Sequence, residues 1–247
     1  MLPGYQLATM KPYVVPLYGS GNHGSDFIGT GTLIHYRDRY LMISCEHCFN
    51  KGGQHQLLVG SKESFNIDRV VLVSQPSEGG VINPVDFGVV ALELSEVLRI
   101  QEESMFMPGF TLEHNSVLDC IDDYSVFGFP AHDNRVNCAE PQLTANLIQI
   151  PLQKARKFHN DLTKKQPSCY LPLALEPRKI EELWKSEFKI PDPEGLSGGP
   201  IIRHLPRSRI TMAGMVFMHY KHRKALLGLR SSAILSLLDH WWPRVNA

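Results

Sequence analysis

No stretch of this 247-residue chain approaches the ~20 consecutive apolar residues that a bilayer-crossing helix needs, so no membrane span is expected. Its opening, MLPGYQLATMKPYVV, lacks both the basic n-region and the apolar h-region of a secretory leader, and a cytoplasmic location is the expectation. Net charge is missing as well. Lys and Arg number 25 and Asp and Glu number 25, so nothing global favours nucleic acid or an anionic membrane as a partner. Cysteine is scarce and odd in count, at 5, which does not make a disulfide framework. There is no solenoid period and no low-complexity segment.

What is present is ordinary globular composition, 43% hydrophobic and 20% charged, which excludes a wholly disordered chain. Gly and Pro cut the sequence into short segments rich in Val, Ile, Leu and Phe. Six of them precede residue 95, at Tyr13–Tyr18, Thr32–Tyr36, Tyr40–Ser44, Gln56–Gly60, Arg69–Ser74 and Phe87–Leu94. Five follow, at Tyr124–Gly128, Leu143–Pro151, Tyr170–Ala174, Pro200–Arg203 and Thr211–Tyr220. Short apolar runs bounded by turn residues read as an all-β sandwich or barrel. Two helices are expected, over Arg178–Lys185 and over Ser231–Trp242, the second with Ile234, Leu235, Leu238 and Trp242 on one face and Pro243 as its stop. The polar stretch Arg99–Ser116, with Pro108 and Gly109, reads as a connector between two similar β units.

The chemistry concentrates at Pro193-Glu194-Gly195-Leu196-Ser197-Gly198-Gly199-Pro200. Gly195 and Gly199 bracket Ser197 in the G-x-S-x-G spacing of an α/β-hydrolase nucleophile elbow. That fold needs an acid and then a histidine downstream of the serine. After Ser197 the only acid is Asp239, with His240 directly beside it, and no alternating βα pattern precedes the serine. The elbow reading fails.

The opposite order succeeds. Gly29-Thr30-Gly31-Thr32-Leu33-Ile34 comes first, then Ser44-Cys45-Glu46-His47-Cys48, then Asp86-Phe87-Gly88-Val89-Val90-Ala91-Leu92, then the Ser197 block. Four blocks in this order resemble the trypsin-like (chymotrypsin-fold) serine peptidase superfamily, in its bacterial or intracellular-type branch. The resemblance implies Ser197 as nucleophile, His47 as general base and Asp86 as the acid that orients the base. It also implies that the backbone N–H groups of Gly195 and Ser197 form an oxyanion hole. A serine hydroxyl is a weak nucleophile until an imidazole takes its proton, and a carboxylate stabilises the imidazolium that results.

The implied architecture is all-β: two six-stranded antiparallel β-barrels with a C-terminal helix. Within a single peptidase domain over 1–247, the first barrel covers about 10–100, the connector 101–116, the second barrel 117–230 and the helix 231–243. Leu196 stands where secreted members carry the Asp that pairs with a newly cut N-terminus, and no activation site precedes the first strand, so zymogen activation is not expected. Phe127-Gly128-Phe129-Pro130 resembles the G-x-P turn that the bacterial members place early in the second barrel.

Specificity is less legible. The family's primary pocket has its base about six residues before the serine, near Pro191 and Asp192, and one wall along Gly214–His219. Asp192 in the base would select Arg or Lys; shifted by one residue it faces solvent. Phe217 and Met218 would make the wall apolar, and His219 would recognise an acidic or amide side chain or else lie exposed at a strand end. Cys45 and Cys48 flank His47 in a C-x-x-C, yet no second ligand pair occurs at zinc spacing, so no metal or other cofactor is expected. From Gly198 onward eight basic residues stand against the single acid Asp239, a solvated rim or a docking face for an acidic partner or nucleic acid. A polypeptide is the expected substrate and a regulatory protein a possible partner, with nucleic acid disfavoured. The other outcome is a catalytically silent relative that binds peptides.

Overall fold

Short apolar segments separated by turn residues pair into two antiparallel β units. The computed structural model describes residues 8–21, 24–50, 57–59, 65–67, 72–73, 85–102, 104–113, 123–134, 145–155, 158, 163–164, 167–175, 193–206 and 209–245. The first unit contains β1 (Val14–Gly21), β2 (Gly24–Tyr36), β3 (Arg39–Ser44), β4 (Leu57–Val59), β5 (Phe65–Ile67), β6 (Leu72–Val73) and β7 (Gly88–Ala91). These line up in the order β5-β4-β1-β2-β3-β7-β6, and β8 (Met107–Pro108) pairs in parallel with β2. The second unit contains β9 (Tyr124–Gly128), β10 (Ile148–Lys154), β11 (Tyr170–Ala174), β12 (Pro200–His204), β13 (Ile210–Tyr220) and β14 (Ala225–Arg230). It closes as a six-stranded barrel in the order β10-β11-β14-β13-β12-β9.

The expectation of two closed barrels is therefore met by the second unit. The first is, among the described residues, an open eight-stranded sheet with β5 and β6 at its edges. Strand alternation explains how the two pack. In β9, Tyr124 and Val126 point into the barrel while Phe127 points to the core shared with the first sheet, so every residue of the strand is buried. Likewise Leu171 and Leu173 of β11 fill the barrel and Tyr170 faces the shared core.

The C-terminal helix α3 (Ser231–Val245) follows β14 directly, with the Ser231 hydroxyl donating to the Met212 carbonyl at 2.6 Å. It runs through Pro243, which lies in its last turn and does not stop it. Ile234, Leu235, Leu238 and Trp241 are its buried stripe. Trp241 takes the place expected for Trp242 and stacks on Phe87 at 5.8 Å, so the helix clasps the first sheet. Trp242 is half-buried and carries the Arg37 guanidinium over its ring. The chain enters the connector from α2 (Leu94–Gln101), where Glu93 and Glu96 form a reciprocal capping box. The connector's far end is fastened by the buried pair Glu113–Arg203 at 3.1 Å. The helix expected over Arg178–Lys185 lies outside the described residues.

Candidate active site

Strand register brings the acid to the histidine. In the β3–β7 pairing Ser44 lies opposite Gly88. The chain leaving β3 at Ser44 therefore runs beside the chain entering β7, and His47, in the short helix α1 (Glu46–Asn50), meets Asp86. Asp86 holds it at two points. Its Oδ1 accepts the His47 backbone N–H at 3.1 Å, and its Oδ2 accepts the ring Nδ1–H at 2.5 Å. A carboxylate only accepts, so the proton sits on Nδ1 and Nε2 faces away from Asp86. Burial is the largest influence on this imidazole and would lower its pKa. The Asp86 hydrogen bond and the adjacent Cys48 sulfur, with their charges, outweigh it and raise His47 from 6.5 to about 10.

Ser197 is presented by a turn that two buried threonines of β2 hold in place. The Thr30 amide donates to the Ser197 carbonyl at 2.9 Å, and the Thr30 hydroxyl donates to the Gly195 carbonyl at 2.9 Å. The Thr32 hydroxyl donates to the Gly198 carbonyl at 2.9 Å. Two glycines make the turn possible. Gly195 has φ 97° and Gly198 φ 89°, in the left-handed range. A Cβ on Gly195 would come within 2.6 Å of the Phe129 carbonyl oxygen, and one on Gly198 within 1.9 Å of the Thr30 oxygen.

Peptide planarity orients two amides outward. The Glu194 carbonyl accepts the Ala131 amide at 2.7 Å, and the Leu196 carbonyl accepts the Gly199 amide at 2.8 Å. Across a trans peptide the next N–H points the opposite way, so the Gly195 and Ser197 N–H groups turn from these partners. Among the described residues neither donates to the protein, whereas the amides of Leu196, Gly198 and Gly199 all do. Two such donors on one turn can receive an oxyanion.

A cavity of about 620 Å³ opens over this turn, lined by His47, Ser197 and Gly195 together with Phe27, Ile28, Ala131, Pro193, Glu194 and His219–His222. His47 and Ser197 share this cavity without a hydrogen bond between the imidazole and the hydroxyl. Catalytic hydrogen bonds are often long without substrate and tighten when it binds. Leu196 points the other way, fully buried among barrel residues such as Val126 and Ile201. Full burial of such a side chain stabilises by about 1.5–3 kcal/mol.

Of the expected specificity-pocket residues that the structure describes, only His219 lines the cavity. β13 bulges between Val216 and Met218. The extra residue there, Phe217, turns inward and packs on Tyr170 at 5.5 Å, and Met218 is exposed on the outer side. Asp192 lies outside the described residues. Reading the sequence missed Tyr220, the last residue of β13, and Lys221 and His222 just beyond it, which continue the wall; the signal available was their run of polar and basic types. Ligand atoms of Cys45, His47 and Asp86 lie within 4.8 Å of one another. They do not suit a metal: Nδ1 is committed to Asp86, the Cys45 thiol donates to the Val216 carbonyl at 3.2 Å, and burial keeps that thiol protonated.

The fold matches solved serine proteases. The Vibrio cholerae VesB protease superposes with a TM-score of 0.55 at 14% identity, over 94% of this chain and 65% of that one. The chain thus spans about two thirds, 65%, of the VesB chain it matches. A thermostable serine protease, AL20, from an extremophilic microorganism superposes with a TM-score of 0.50 at 12% identity, over 93% of this chain and 96% of that one. At these identities the likeness is one of fold, and the fold is trypsin-like. No protein-family model matches the sequence, and no curated protein matches it. Among the described residues no helix is long and apolar enough to cross a membrane.

Proposed function

We propose that this chain is a serine endopeptidase that hydrolyses peptide bonds through Ser197, His47 and Asp86 and an acyl-enzyme intermediate. In this reading a polypeptide lies in the cavity with its carbonyl carbon beside Ser197 Oγ. The hydroxyl attacks as His47 Nε2 takes its proton, and Asp86 stabilises the imidazolium. Negative charge developing on the carbonyl oxygen is met by the N–H groups of Gly195 and Ser197. The intermediate collapses as His47 returns its proton to the departing amine. A water then repeats the sequence on the ester and releases the acid.

The observation that carries this reading is the clamp of Asp86 on both the backbone and the ring of His47, beside a turn whose two outward amides flank the nucleophile. Apolar burial of Leu196 supports an enzyme that needs no N-terminal cleavage. We read 1–247 as one peptidase domain, with the open sheet as counterpart of the closed barrel, acting in the cytoplasm under control of a protein partner.

A fluorophosphonate probe tests the chemistry. It is expected to label the wild-type chain at Ser197 and to miss Ser197→Ala and His47→Ala. Labelling that survives both substitutions, or none in a folded wild type with or without partner, would sink the reading. A second reading, a silent fold that binds peptides without cleaving them, is favoured by the missing Ser197–His47 hydrogen bond and the proton-retaining imidazole. Absence of labelling together with binding of a peptide to the unlabelled chain would establish it.

A further inference from the structure

Five basic residues occur in the six-residue run His219-Tyr220-Lys221-His222-Arg223-Lys224, and its first four residues line the cavity that holds Ser197 and His47. The run leaves β13 at Tyr220 and makes a single 3-10 turn over Lys221–Arg223. Its backbone is pinned at several points. The Lys224 amide donates to the Lys221 carbonyl at 3.2 Å, and the Lys224 carbonyl accepts the Leu175 amide at 2.8 Å. The Tyr220 ring packs edge-on against Phe158 at 5.1 Å. Lys224 closes the turn with φ 45°, a conformation that favours glycine, yet a cation occupies it. Lys221, His222 and Lys224 are exposed. Among the described residues, Glu194 is the only acid that lines the cavity.

Resting on the serine peptidase reading, we infer that this basic turn selects polypeptides bearing acidic side chains beside the scissile bond. Cations at one wall of a cleft raise the local concentration of anionic segments and speed their association. A nucleic acid fits less well. The chain has zero formal charge, and among the described residues that line the cavity Lys221 is the one fixed cation, beside His219 and His222, which is less than a phosphate backbone demands.

The test uses peptide pairs that differ only by Glu or Gln on the residues flanking the cleaved bond. Wild type is expected to favour the Glu member by about tenfold in kcat/KM at low salt, with the advantage shrinking as salt rises. Lys221→Gln, and separately Lys224→Gly, which tolerates the left-handed backbone, are expected to reduce that ratio. Anisotropy of the same peptides on Ser197→Ala reads binding without hydrolysis. Equal rates on both peptides, in an enzyme that the fluorophosphonate labels, overturn this inference and leave the peptidase reading standing. Absence of labelling overturns the peptidase reading, and anisotropy then decides: preferential binding of the Glu peptide supports the acidic ligand class, and equal binding overturns it. Tighter binding of a single-stranded oligonucleotide than of the Glu peptide also overturns it.

Discussion

Thr30 holds Ser197 through a 2.9 Å backbone hydrogen bond that crosses from the first sheet to the turn opening the strand β12 of the closed barrel. The same threonine's hydroxyl donates to the Gly195 carbonyl and accepts the Phe129 amide at 3.1 Å. One fully buried residue thereby ties the turn that carries both outward amides to β2, the neighbour of the strand that leads to the histidine.

Thr30→Val keeps the shape and removes the hydroxyl. The Gly195 carbonyl and the Phe129 amide then lose a buried partner, a cost of about 1–3 kcal/mol. The expected outcome is a lower urea midpoint together with slower fluorophosphonate labelling. A lower midpoint with an unchanged labelling rate would show that Thr30 serves stability alone.

Gly195→Ala is expected to cost more in rate than in affinity. Its Cβ would meet Phe27, the Phe129 carbonyl and the Ala131 amide at 2.6–2.7 Å, so the turn must move and withdraw the Gly195 N–H. Loss of one oxyanion donor lowers kcat by about 10²–10³. Steady-state kinetics should show that fall with KM little changed. A variant of full activity would remove Gly195 from the oxyanion hole.

The proton on His47 sets a pH dependence. Only neutral imidazole accepts the serine proton, and His47 is raised to about 10, so the labelling rate should climb from neutral pH toward about 10. The sign for stability is opposite. A raised pKa stabilises the fold fully below the unfolded value near 6.5, and this contribution is lost as pH passes through about 10. Cys48→Ala removes one of the raising influences and should move the inflection to lower pH. An inflection near 6.5 that ignores Cys48→Ala would contradict the clamp as described.

Leu196 is expected to tolerate neither truncation nor charge. Leu196→Ala should cost about 2–5 kcal/mol through the cavity it leaves. Leu196→Asp, which restores the residue of the secreted pattern, buries a carboxylate among apolar side chains and should cost more still. Thermal denaturation checks both. A Leu196→Asp variant as stable as wild type would contradict the apolar burial of this position.

Much of this protein was legible in the order of its residues. The Gly29, His47, Asp86 and Ser197 blocks stand in an order that resembles a known family, and that resemblance, not any local periodicity, pointed to these residues before the fold was known. The β strands that alternate cleanly were legible too, and so was the apolar stripe of the last helix. β14 was missed because Ala225–Leu229 is a continuous apolar run, which periodicity cannot assign to strand or helix. The helix over Leu94–Gln101 was missed because only Val97 and Ile100 on it are buried, and its capping box starts from Glu93, which is not the usual Ser or Thr.

Tertiary structure alone decided the rest. A bulge turns on one unpaired residue, and no local signal shows that Phe217 is that residue and so faces the core and not the cavity. The exposure of His219–His222 to Ser197 depends on where β13 ends relative to a turn some twenty residues earlier, a distance in space that hydrogen-bond register creates. Residue types determined what chemistry this chain can hold; pairing across strands determined which of those residues face one another.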